Sequence, residues 1–92
     1  MRVIVDERAW RDLADIAARI GRDNPGAGRR MIEKIRHVIA LLADFPGLAR
    51  AGQVQGTWER VVPRSRYIIV FEMSARPRAL IITAVVHAAR DR

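Results

Sequence analysis

The residue types that could act on a phosphate or move a proton are concentrated in the C-terminal half of the chain. The stretch ERVVPRSRY contains Glu59, Arg60, Arg64 and Arg66, and His87 lies at the end of the last apolar run. Metal-free RNA cleavage needs a base for the 2′-hydroxyl proton, an acid for the leaving oxygen and a cation on the phosphate. Glu59, His87 and an arginine such as Arg60 could supply all three.

The same region also fits a surface without catalysis. Charged side chains commonly protect the exposed edge of a sheet, and a basic surface attracts a polyanion or an acidic protein. The chain has 17 basic and 10 acidic residues, and residues 46–92 hold eight of the basic and three of the acidic ones. The residue types alone therefore leave three interpretations open: a charged edge, a binding surface and an enzyme. The candidates for binding are Arg64, Arg66, His87, Arg90 and Arg92.

Composition excludes several other kinds of site. The chain has no Cys, so it can form neither a thiolate nucleophile nor a disulfide nor a Cys-based zinc site. The only histidines are His37, on the polar side of a predicted helix, and His87, and with so few ligand partners we predict no metal and no cofactor. The glycines from Gly47 to Gly56 lack the Lys-Ser/Thr ending of a phosphate-binding loop. No apolar run reaches 18 residues, so we expect a cytoplasmic protein without a membrane span.

Two amphipathic helices must position this region. Asp6 is placed to cap the first, which we expect to end at Gly21. We interpret Trp10 as part of the core, although it could instead contact a partner. Arg22–Asn24 would link this helix to a second one that begins at Pro25 and stops at the sequence Phe45-Pro46-Gly47. The apolar stripe of the first helix is Trp10, Leu13, Ala17 and Ile20, and that of the second is Ile32, Ile35, Val38, Ile39 and Leu42.

Short apolar runs predict four strands, one before the helices and three after them. They are Arg2–Val5, Trp58–Val62, Tyr67–Met73 and Ala79–Val86. The short connections between the last three require antiparallel neighbours, while residues 46–57 read as a loop and His87–Arg92 as a frayed tail or docking arm. We therefore predict one α+β domain over residues 1–92, with the order β-α-α-β-β-β and a helical hairpin on one face of a mainly antiparallel four-stranded sheet.

This layout resembles the RelE/ParE superfamily, the toxins of bacterial type II toxin–antitoxin pairs. The resemblance covers nearly the whole chain. It is carried by RIGRDNPGAGRRMIEKI at 19–35, LLADFPGLARAGQVQGTWERVVP at 41–63, RYIIVFEM at 66–73 and IITAVVHAARD at 81–91.

The resemblance implies one of two activities. RelE-like toxins cut messenger RNA in the ribosomal A site, whereas ParE-like toxins bind DNA gyrase and trap it on cleaved DNA. RNA-cleaving relatives usually carry arginines where this chain has Ile68 and Ala84, and another commonly precedes the acid that Glu59 matches, where this chain has Trp58. The loss of one charge donor typically lowers the rate of cleavage about 10²–10³-fold. Since these arginines are absent, the sequence is closer to the ParE-like toxins than to the RelE-like ones. The alternative is a metal-independent messenger RNA endonuclease that uses Glu59, Arg60 and His87.

The resemblance also implies partners. Both activities imply a cognate antitoxin, in which a disordered segment folds around the helical hairpin and the sheet edge to form a hetero-oligomer. The ParE-like interpretation adds DNA gyrase as the target, and DNA contact would be indirect, through the antitoxin. A third hypothesis is a toxin that has lost its activity and mainly binds the antitoxin.

Overall fold

A computed structural model describes residues 1–91 as two helices packed on one five-stranded sheet. The strands lie in the order β1-β5-β4-β3-β2, with β1 parallel to β5 and every other pair antiparallel. This confirms the predicted α+β class and the helical hairpin. The elements are β1 (Arg2–Val5), α1 (Glu7–Asp23), α2 (Pro25–Asp44), β2 (Arg50–Ala51), β3 (Trp58–Val61), β4 (Tyr67–Ala75) and β5 (Arg78–His87).

The connection between the helices is shorter than predicted. Helix α1 continues through Gly21 to Asp23, so the link is Asn24 alone. Asn24 has an extended backbone (φ −152°), its N–H donates to the Ile20 carbonyl, and its side chain accepts from the Ala27 N–H at 3.1 Å. One residue thus ends α1 and caps α2.

Gly21 lies inside α1 and does not end it, and the close packing of the two helices depends on Gly28. A Cβ atom on Gly28 would lie 2.9 Å from the Ala17 carbonyl oxygen and 3.3 Å from the Gly21 Cα. The two helix backbones therefore approach closely where these small residues meet. The hairpin is tight because Gly28 has no side chain at the crossing.

The interpretation of Trp10 as a core residue is wrong. Its side chain is 60% exposed, whereas Ala9, Leu13 and Ile16 are buried. Residues spaced by three or four positions share one side of a helix. Leu13 lies four positions after Ala9 and Ile16 three positions after Leu13, so these buried residues form one stripe. Trp10 lies at the margin of this stripe, beside the core.

The region predicted as a loop contains a fifth strand. Within residues 46–57, Pro46–Leu48 form a 3-10 turn, and β2 pairs with β3 through Arg50 opposite Glu59 and Ala51 opposite Trp58. Two residues are too few to show an alternating pattern, so the sequence carried no signal for β2. At the other end of the sheet, β5 runs to His87, which was predicted to begin the tail.

The sheet has two different faces, because neighbouring residues of a strand alternate between them and paired residues share one. The covered face packs against the helices through residues such as Ile69, Phe71 and Ile82. The open face, on the other side, carries a separate small cluster of Ile68, Ala84 and Val86 with Val70 against it. A register shift between Val70 and Phe71 accommodates one extra β5 residue.

Candidate functional site

Glu59 is buried at the open face. It lies opposite Val70, which pairs with Ala84, so the three side chains form one row across β3, β4 and β5. Glu59 is only 2% exposed. Its Oε2 accepts from the Gln53 N–H at 3.2 Å, and its Oε1 lies 3.8 Å from Arg50 Nη2. The carboxylate therefore binds the segment around β2.

Arg60 projects from the other side of β3. It pairs with Ile69, a residue of the covered face, and its Nη1 donates to the Leu48 carbonyl at 3.0 Å. This guanidinium group holds the 3-10 turn that follows α2. The Arg60 side chain leaves β3 on the opposite side from Glu59, although both residues line one cleft with Leu48 and Val61.

His87 lies at the end of the covered face, in an ordered turn. It pairs with Tyr67, and the two rings meet edge to face with centroids 5.3 Å apart. His87 Nδ1 accepts from the backbone N–H groups of Ala89 at 3.1 Å and Arg90 at 3.3 Å. The His87 N–H donates to Asp91 Oδ2 at 2.6 Å. Residues 87–91 are therefore folded back on the sheet end.

The electrostatic surroundings of His87 favour a neutral ring. Partial burial lowers its pKa below the usual 6.5, and the guanidinium groups of Arg90 and Arg66 lower it further, while Asp91 opposes them. The hydrogen bonds act in the same direction, because an Nδ1 that accepts two N–H groups has no room for a proton. The tautomer implied by this geometry carries its proton on Nε2.

The structure groups part of the predicted binding set. Around His87, the Arg66 carbonyl accepts from the Ala88 N–H at 2.7 Å, and Arg90 Nη2 donates to the Tyr67 hydroxyl at 3.4 Å. Arg64 and Arg66 are exposed in the turn between β3 and β4. Arg92 lies outside the described residues.

Arg64 and Ser65 shape that turn. Arg64 has φ 55°, in the left-handed region. The Ser65 hydroxyl donates to the Val62 carbonyl at 2.8 Å and accepts from the Tyr67 N–H at 3.1 Å. Ser65 is thus occupied by backbone contacts, and the turn presents the Arg64 side chain to solvent.

The alternative catalytic set is not brought together. Glu59 and Arg60 line one cleft, although their side chains leave β3 on opposite sides. His87 lies on the covered side at the end of β5, three residues beyond Ala84 in the row of Glu59. The neighbouring open-face positions on β4 and β5 are apolar, with Ile68 and Ala84 each 4% exposed. Within residues 1–91, no cluster of three His, Cys, Asp or Glu side chains could hold a metal, and no helix is long and apolar enough to cross a membrane.

An apolar groove lies between the hairpin and β1. The sequence placed several of its residues in the apolar stripes of the helices and named Trp10 as a possible partner contact. Trp10 is at its margin, and β1 is an edge strand of the sheet. The cavity is about 720 Å³. The groove itself was not recognised because it combines residues distant in sequence. Its apolar side chains include Val3, Val5, Trp10, Leu13, Ile32 and Ile39.

Comparisons with known proteins point to one family. A family model described as the ParE toxin of the type II toxin–antitoxin system parDE matches residues 3–92. A Sinorhizobium fredii protein, Y4kP, that is named as a toxin is 36% identical over 81 residues, which are 88% of this chain and 81% of that protein.

Solved structures share the fold at low sequence identity. The chromosomal ParDE toxin–antitoxin system from P. aeruginosa superposes with a TM-score of 0.84 at 17% identity and covers 95% of both chains. The YoeB/ParE toxin from Agrobacterium tumefaciens superposes with a TM-score of 0.66 at 18% sequence identity, covering 95% of this chain and 98% of that one. The RelBE2 toxin–antitoxin complex from Mycobacterium tuberculosis superposes with a TM-score of 0.62 at 18% sequence identity, covering 94% of this chain and 95% of that one.

Proposed function

The chain belongs to the ParE toxin family of type II toxin–antitoxin systems, and from this membership we propose that it inhibits DNA gyrase by binding, without catalysis of its own. An antitoxin neutralises it by covering part of its surface. The observation that carries the proposal is the buried apolar packing of Ile68 and Ala84 beside Glu59.

A metal-free nuclease must neutralise a phosphate in the transition state. The side chains of Ile68 and Ala84 supply no charge, and both are buried against Val70 and Val86. A guanidinium group at either position would have to displace this packing. The arrangement therefore supports a toxin that acts on a protein.

The positions of the acid and base candidates support the same conclusion. Two groups that act on one phosphate must both reach it within hydrogen-bond distance. The carboxylate of Glu59 and the ring of His87 project to opposite faces of the sheet. Both are also engaged: Glu59 accepts from Gln53, and His87 Nδ1 accepts from two backbone N–H groups.

We assign target binding to the basic end of the sheet, where the β3–β4 turn and the C-terminal turn meet. Residues Arg64, Arg66, His87 and Arg90 form this proposed surface, and Arg92, which lies outside the described residues, is included from its sequence position alone. Arg66 and Arg90 flank His87, and Arg64 is exposed at the tip of its turn. A set of converging cations suits an acidic surface, because charge complementarity steers association.

We assign antitoxin binding to the groove between the hairpin and β1. Exposed apolar surface of this kind marks a protein contact. Trp10 at its margin is a large amphipathic anchor of the type that dominates binding energy. The edge of β1 beside it could accept an added strand of the partner.

The test is gyrase supercoiling with purified toxin, compared with Arg64→Gly. Glycine accepts the φ of 55° at this position, so the substitution removes the charge without straining the turn. A charge-assisted contact contributes roughly 1.5–3 kcal/mol. We therefore expect the half-inhibitory concentration to rise about tenfold or more.

Arg78→Gln is the matched control, because Arg78 is an exposed arginine at the opposite end of β5. It should leave inhibition unchanged. Wild-type toxin without effect on gyrase over a wide concentration range would overturn the proposal. Cleavage of translated messages by the same preparation, abolished by Glu59→Ala, would establish the endonuclease activity instead.

A further inference from the structure

The segment of residues 52–57, which we call the β2–β3 loop, is held by a dense set of hydrogen bonds. The Gly52 N–H donates to the Thr57 carbonyl at 2.8 Å. Both the N–H and the hydroxyl of Thr57 donate to the Val54 carbonyl, at 3.1 and 2.6 Å. Gly56 has φ 89°, which favours glycine. A loop with these internal bonds has one preferred conformation.

The carboxylate of Glu59 connects this loop to the sheet. It accepts from the Gln53 N–H in the loop and lies near the guanidinium group of Arg50 in β2. A buried charge costs several kcal/mol of solvation unless its partners replace the lost water. A carboxylate kept at 2% exposure with such partners is therefore a strong determinant of the loop position.

Gly52 shows how closely the loop approaches this carboxylate. A Cβ atom at Gly52 would overlap the Thr57 hydroxyl and lie 3.2 Å from Glu59 Oε2. A side chain would thus push Thr57 and Glu59 apart. Gly52 gives a second way to disturb the loop, one that leaves the carboxylate in place.

Exposed apolar residues lie on both sides of Glu59. Val54, at the tip of the loop, is 68% exposed, and Leu48 and Val61 are exposed in the neighbouring cleft. Arg50 and Arg60 line the same cleft. Single exposed apolar residues are ordinary, but a group of them with cations on a rigid frame is suited to a protein contact.

We propose that Glu59 is a positioning residue: it fixes the β2–β3 loop and thereby shapes a contact surface of Val54, Leu48 and Val61. The cations at this surface match an acidic partner segment that carries apolar side chains. The inference has two halves. The contact half, that this surface binds a partner, rests on the proposed function, because the partner is the inhibited target. The anchoring half, that Glu59 fixes the position of the β2–β3 loop, does not depend on the proposed function.

Amide hydrogen exchange tests the anchoring half. In Glu59→Ala and in Gly52→Ala, we expect exchange at Gln53 and Thr57 to become about tenfold faster, because local opening costs less. Glu59→Gln keeps an oxygen that can accept from the Gln53 N–H, so exchange there should stay close to wild type. Protection of β4 and β5 amides reports whether each variant is folded. Unchanged loop exchange in folded Glu59→Ala overturns the proposal.

Gyrase inhibition by the same variants tests the contact half. Glu59→Ala and Val54→Ser should both raise the half-inhibitory concentration about fivefold to tenfold, whereas Glu59→Gln should restore inhibition to near wild type. Met73→Ser, at an exposed apolar residue of β4 outside the proposed surfaces, is the control and should have no effect. If Glu59→Gln loses inhibition while its loop stays protected, the charge itself is used and the positioning role is wrong.

The two proposals fail in different ways. Wild-type toxin that does not inhibit gyrase removes the proposed function and the contact half with it, while hydrogen exchange still decides the anchoring half. Inhibition that is intact in Val54→Ser and Glu59→Ala keeps the proposed function and removes the contact surface.

Discussion

The covered face of the sheet is buried under the two helices, whereas the open face is bordered by a hydrogen-bonded loop. Ile69, Phe71 and Ile82 are fully buried against the helices. On the other side, the cluster of Ile68, Ala84 and Val86 is bordered by the β2–β3 loop and by Glu59. Side chains on the covered face are thus buried by apolar packing against the helices. On the open face, the β2–β3 loop and the Glu59 carboxylate that binds it contribute to burial.

The difference shows where this fold can vary. Large interlocking side chains resist change, because a cavity or an overlap in a close-packed core costs several kcal/mol. The open face depends on fewer contacts, so its chemistry can change between relatives with the same architecture.

The largest expected effect separates the two faces directly. Phe71→Ala removes a fully buried ring from the covered face and should lower the free energy of unfolding by about 3–5 kcal/mol. Ile68→Ala on the open face should cost about 2–3 kcal/mol, because the loop can relax toward the smaller side chain. Urea unfolding measures both. Equal losses would mean that the open face is as tightly packed as the covered one.

A smaller effect tests the helix crossing above the covered face. Gly28→Ala places a methyl group 2.9 Å from the Ala17 carbonyl oxygen, and overpacking of this kind costs about 1–3 kcal/mol. Gly21→Ala is the matched control, since no atom lies within 4 Å of its added Cβ. It should stabilise the protein by roughly 0.5–1 kcal/mol through helix propensity. Thermal unfolding of both variants gives the comparison.

The smallest effect concerns His87 at the margin of the covered face. Its pKa is lower in the folded protein than the usual 6.5, so the unfolded chain binds the proton more readily. Stability should therefore be complete above pH 6.5 and decline as the pH falls from there through the folded pKa. Titration of the ring by NMR measures this pKa. Arg90→Gln should raise it, and an unchanged value would exclude Arg90 as a cause.

Much of the architecture could be predicted from local patterns. The caps Asp6 and Asn24, the apolar spacing and the three C-terminal strands were recognisable. The two-residue strand β2 and the exposure of Trp10 were not, because pairing and the exact orientation of a helix depend on distant residues. For the same reason the sequence could group Glu59 and His87 as chemical types without showing that they occupy opposite faces.

The sequence by itself determined the two helices, four of the five strands, the basic character of the C-terminal half and the aliphatic residues at 68 and 84, since these follow from residue type and near-neighbour spacing. Only the tertiary structure decided which side chains meet. Strand pairing assigns each residue to a face of the sheet, and the register that placed the Glu59 carboxylate beside Gln53, away from His87, arises from contacts between segments far apart in the chain.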